Sequence, residues 1–133
     1  MNKELETQFV KEHIVKARQS RLLLEFADER RRKSALDRFA HGTEDILKSQ
    51  PKTFEVSQLA GMIRDLAQRS QLYVISSAHL DGAVMSADEV TAYLEEVGEP
   101  TIVLSQATGA AIIKPETYGR RTFYYLSPKQ VRN

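Results

Sequence analysis

The sequence predicts an α+β protein: a helical N-terminal half packed on a small, mostly antiparallel C-terminal sheet of about four strands with one crossover helix. Two observations carry this. Apolar residues recur at helical spacing through roughly the first seventy positions, then give way to short β-rich runs separated by turn signals. The length, 133 residues, suits one domain that can bury a core without covalent staples. The expected organisation is therefore a single domain over 1–133, with a helical part at 1–70 and a sheet part at 71–133 that contains a helix over 87–97.

From Asn2 to about Arg18, Leu5, Phe9, Val10, Ile14 and Ala17 recur every three to five residues and predict one helix, with Ser20 as an interruption or cap. Leu22 to Ala40 continues in the same period, and His41-Gly42 offers a stop with a glycine able to turn left-handed. Thr43 caps a short helix that Pro51 ends. Val56, Leu59, Ala60, Ile63, Leu66 and Ala67 then form one apolar stripe, with Arg64, Asp65, Gln68 and Arg69 off it.

Leu72–Ser76 reads as a strand. Ser86 and Glu89 form a capping box, in which each side chain can serve the other's backbone N–H, ahead of the stripe Val90, Tyr93, Leu94 and Val97. Thr101–Ser105, Ala110–Lys114 and Arg121–Leu126 follow as strands. Short links between them predict an antiparallel meander with the helical part on one sheet face.

Composition excludes several functions. No cysteine is present, so thiolate nucleophiles, Fe–S clusters and disulfides are ruled out, in keeping with a cytoplasmic setting. The N-terminus has no signal-peptide pattern, and no apolar run approaches the ~20 residues of a membrane span. Neither a GxGxxG nor a GxxxxGK[ST] loop occurs, so no nucleotide cofactor is expected, and no metal-ligand motif is present.

Three stretches could carry function. SSAHLDGAVMS (Ser76–Ser86) places Ser77, His79 and Asp81 in a loop after a strand, where a hydrolase would need nucleophile, base and orienting acid. Asp81-Gly82 is equally the favoured pair of a type I′ hairpin turn, with Leu80 and Ala83 flanking it. The turn accounts for more of the residues.

ERRRK (Glu29–Lys33) suggests nucleic-acid contact through Arg30, Arg31, Arg32 and Lys33, helped by Arg120 and Arg121. Successive residues sweep around a helix, however, and Asp28–Arg32 and Glu29–Lys33 are spaced as surface ion pairs. The formal net charge is only +1, without the basic excess of most nucleic-acid binders.

The third stretch is YGRRTFYYL. Tyr118, Arg120, Arg121, Phe123 and Tyr125 combine arginine with aromatic residues, a composition enriched where proteins bind one another. The expected function is accordingly a small soluble binding or regulatory protein (inhibitor, immunity-like or adaptor) acting through protein–protein contact rather than catalysis. Leu22-Leu23-Leu24 with Phe26 also suits self-association. A nucleic-acid-binding accessory protein is the alternative, and a hydrolase centred on His79 and Asp81 comes third.

Overall fold

The computed structural model describes residues 1–41, 43–77, 79–96, 99–115 and 122–128. Its helices are α1 (Lys3–His13), α2 (Lys16–Ala27), α3 (Glu29–His41), α4 (Thr43–Ile46), α5 (Leu59–Ala67) and α6 (Ala87–Glu96). Its strands are β1 (Lys52–Glu55), β2 (Leu72–Ser76), β3 (Val84–Met85), β4 (Thr101–Ser105), β5 (Ala111–Lys114) and β6 (Thr122–Leu126). The α+β class stands.

The strands form one antiparallel sheet in the order β1-β6-β5-β4-β2-β3. β4, β5 and β6 make the expected meander. β3 and β4 both run antiparallel to β2, so α6 joins two parallel strands and is the crossover helix. Its capping box forms: the Glu89 N–H donates to Ser86 Oγ at 3.2 Å and the Ser86 N–H to Glu89 Oε1 at 3.2 Å.

The helical half differs from expectation in three ways. First, the helix expected over 2–18 ends at His13. Ile14 takes extended backbone and bridges Leu47, with Val15 N donating to Ile46 O and Lys48 N to His13 O, both at 2.8 Å. β-Branched Ile14 and Val15 tolerate that geometry well. A second break comes at Asp28, which closes α2 in extended backbone and starts α3 by accepting from the Arg30 N–H at 2.9 Å.

The second difference is β1, a sixth strand inside the helical region. Lys52-Thr53-Phe54-Glu55 holds one apolar side chain, too little for a periodicity, and its pairing with β6 makes it a strand. Third, the helices do not all cover one face. Tyr73, Ile75, Ile102, Leu104 and Ile113 pack on Phe9, Val10, Leu22, Phe26, Leu36 and Phe39 of α1–α3. Leu72, Val74, Val103, Ile112 and Phe123 pack instead on Leu59, Ile63, Leu66, Val90 and Leu94 of α5 and α6. The sheet is thus the middle of three layers, which is why β2 and β4 are buried on both sides rather than alternating.

Candidate functional site

The β2–β3 connection decides the His79 question first. Gly82 N donates to Val74 O at 2.8 Å, Val74 N to Ala83 O at 2.9 Å, and Ala83 N to Leu80 O at 3.0 Å. A turn therefore sits at Asp81-Gly82, but only Gly82 has positive φ, at 82°. That matches a type II turn, in place of the expected type I′. His79 is exposed on it.

Asp81 is committed elsewhere. Its Oδ1 accepts from the Ser76 N–H at 3.1 Å and Arg32 Nη2 at 2.8 Å, and its Oδ2 from Arg32 Nε at 2.6 Å. Among the described residues no hydrogen bond joins Ser77, His79 and Asp81, and no three His, Asp or Glu side chains are grouped to hold a metal ion.

Arg32 is therefore not a surface cation paired with Asp28, as the i,i+4 spacing had implied. It is 4% exposed. Its Nη1 and Nη2 donate to Glu6 Oε1 at 2.6 Å and Oε2 at 2.7 Å, its Nη1 also to Phe26 O at 3.0 Å, and the guanidinium lies 5.4 Å from the Phe26 ring centroid. Burial alone would lower its pKa. The hydrogen bonds to Glu6 and Asp81 outweigh that effect and hold it above the ordinary arginine value.

Tyr73 completes the group. Its O–H donates to Glu6 Oε2 at 2.5 Å and accepts from the Asn2 N–H at 2.9 Å. Burial, then the hydrogen bond to Glu6, push the phenol up to about 12. One guanidinium thus ties α1, α3 and the β2–β3 turn together over the sheet, and every donor of the fork is used. The arrangement is a structural clasp. A sequence signal for it existed: Glu6 shares a helical face with Phe9 and Val10, and Arg32 with Ala35, Leu36 and Phe39.

With Arg32 withdrawn, the remaining basic side chains tell a different story. Lys16, Arg18, Arg21, Arg30, Arg31, Lys33 and Arg38 are exposed on α2 and α3, against only Glu29 and Asp37 as exposed acids there. Residues 70–113 contain six acidic side chains and no lysine or arginine. Asp88, Glu89, Glu95, Glu96 and Glu99 are exposed in and just after α6, on the opposite side of the sheet. A net charge of +1 therefore conceals one basic and one acidic face.

Apolar surface is exposed as well, beside α1 and between the helices. Leu24 is 69% exposed on α2, one of three large apolar side chains so exposed among the described residues, with Met1 and Val84. Between α2, α3 and α4 lies a groove of about 240 Å³, floored by Leu22, Ala35, Phe39 and Ile46 and rimmed by Arg18, Arg21 and Arg38, with Glu25 and Asp45 also in its lining.

The C-terminal aromatic stretch divides. Phe123 is 2% exposed and stacked on Phe54 with ring centroids 5.3 Å apart, so it belongs to the core. Tyr125 is half-buried and lines a cleft of about 510 Å³ with Glu12, Lys48 and Lys52. Tyr118, Arg120 and Arg121 lie outside the described residues. No protein-family model matches the chain, nor does any curated protein or solved structure. No helix among the described residues is long and apolar enough to cross a membrane.

Proposed function

We propose that the protein is a cytoplasmic protein-binding module, regulatory or inhibitory in role, and that the exposed surface of α2 is its recognition surface. The observation that carries this is Leu24, 69% exposed on α2, where it lines a cleft with Met1, Lys3, Ser20 and Leu23. A leucine left in water forgoes the ~1.5–3 kcal/mol that full burial of such a side chain contributes. Beside exposed Met1 and Lys3, it is the kind of apolar anchor that protein interfaces bury at their centre. A phosphate backbone would engage the cations but offers no apolar recess for the leucine.

The test is capture of bound proteins by the tagged chain from a lysate of its own source after nuclease treatment, wild type beside Leu24→Asp. The expected result is one protein retained in near-equal amount by the wild type and lost from the variant. Retention unchanged by Leu24→Asp would put the surface elsewhere.

A second reading, nucleic-acid binding, is favoured by the run of exposed cations on α2 and α3. It predicts affinity that falls steeply between low and physiological salt, with capture lost on nuclease treatment. Arg32 contributes nothing to it, because its guanidinium is fully engaged inside the molecule.

A further inference from the structure

The groove between α2 and α3 specifies what kind of partner fits. Its floor is apolar and its rim is cationic. Glu25, whose side chain is only 12% exposed, lies within it and serves two guanidiniums, Arg21 at 3.6 Å and Arg38. Those contacts place both guanidiniums at the rim of the groove. Arg18 has no side-chain partner among the described residues. With Asp45 also in the lining, three arginines face two carboxylates, and the rim keeps a net positive charge next to an apolar floor.

Size narrows the occupant. At about 240 Å³ the groove is smaller than the ~300–1,000 Å³ of sites that enclose a whole small ligand. It suits one aliphatic or aromatic side chain carried on a larger body, with that body resting on the arginines. Lying along two helices, such a groove is the setting in which an amphipathic helix docks its apolar positions.

Charge supplies the rest. Carboxylates beside the apolar anchor would meet Arg18, Arg21 and Arg38 at the rim, while the acidic α6 face would repel the same segment from the other side of the sheet. A second copy of this chain does not qualify. Among the described residues the strongly acidic helix is α6, which keeps Val90, Tyr93 and Leu94 buried in its own core.

The geometry points to the α2–α3 groove as the seat of an acidic amphipathic helix of a partner protein, with an apolar side chain on the Leu22–Phe39 floor and carboxylates on the arginine rim. This inference rests on the protein-binding reading and names the partner's chemistry.

The probe is a fluorescein-labelled helical peptide with leucines on one face and glutamates on the others, followed by anisotropy against the full chain. Saturable binding is expected, weakened by salt and absent for the peptide with lysines in place of the glutamates. Arg18→Glu with Arg38→Glu should lower affinity by about tenfold or more, as charge reversal at a complementary rim does. Arg18→Glu alone, which breaks no side-chain hydrogen bond or ion pair among the described residues, should lower it with an unchanged melting temperature.

No saturable binding overturns the inference. So does equal binding of a peptide with serines for leucines, indifference to Arg18→Glu, or full displacement by duplex DNA when the serine peptide binds as well. If those results come while capture of a lysate protein still depends on Leu24, the groove assignment fails and the binding-module reading stands. If that capture fails too, both fall.

Discussion

Arg32 of α3 grips Glu6 of α1 through two parallel contacts of 2.6 and 2.7 Å, across 26 positions of sequence. Its other edge holds Asp81, 49 positions away. Such bidentate forks are among the stronger charged contacts in proteins, yet a buried ion pair is weak evidence of net stability, because removing the charges from water costs about as much as their attraction returns. What the clasp fixes is geometry: it sets how α1 and α3 sit over the β2–β3 turn. Two predictions separate those roles.

Arg32→Leu should destabilise the protein by about 3–5 kcal/mol, because Glu6 and Asp81 are left as unpaired, largely buried charges. The shift in urea midpoint at pH 7 measures it. Combining Arg32→Leu with Glu6→Gln and Asp81→Asn should recover most of the loss. A triple variant no better than the single one would mean that the clasp contributes energy of its own.

Tyr73 makes stability fall at high pH. Its phenol titrates near 12 in the folded chain, against about 10 when unfolded, so the native state holds the proton more tightly. The contribution is complete below about pH 10 and is lost as pH rises through 12. A spectrophotometric titration of the five tyrosines should show one late component that Tyr73→Phe removes. The same variant should cost ~1–2 kcal/mol at neutral pH, since Glu6 Oε2 and the Asn2 N–H each lose a partner.

The end of α5 is strained and improvable. Gln68 and Arg69 both have positive φ, 47° and 65°, where a Cβ is crowded and glycine is the usual choice. Both are exposed. Gln68→Gly or Arg69→Gly should therefore raise stability by about 0.5–1 kcal/mol, the reverse of glycine's effect inside a helix. Thermal melts check this, and a lower melting temperature for both would mean that these side chains make contacts worth more than the strain.

His79→Ala should change stability by less than about 0.5 kcal/mol, since the side chain is exposed and off the clasp. It should leave partner capture intact as well. Asp81→Ala, two residues on, should unsettle the fold markedly because Arg32 and the Ser76 N–H both lose their acceptor. Equal effects from the two would restore a shared role for the pair.

Local signals in the chain settled much of the architecture. Helical periodicity followed by β-rich runs marked the α+β order, Ser86 and Glu89 started α6, and Leu72–Ser76 and Thr101–Ser105 declared strands. Each of these depends on residues a few positions apart, so each was legible. Where the partner is distant, the sequence was silent. Ile14 leaves the helix to bridge Leu47, and Phe54 becomes a strand residue beside Phe123.

The surface shows the same division. Composition determined the near-neutral charge, the lack of thiols and the lack of cofactor loops. Only the tertiary structure decided that Arg32 turns inward to Glu6 and Asp81, that α5 leaves the other helices for the opposite sheet face, and that basic and acidic side chains part to opposite sides. Periodicity shows that an element has an inner face; which charges lie there paired, and which sides of the sheet the elements take, depends on contacts made only when distant segments meet.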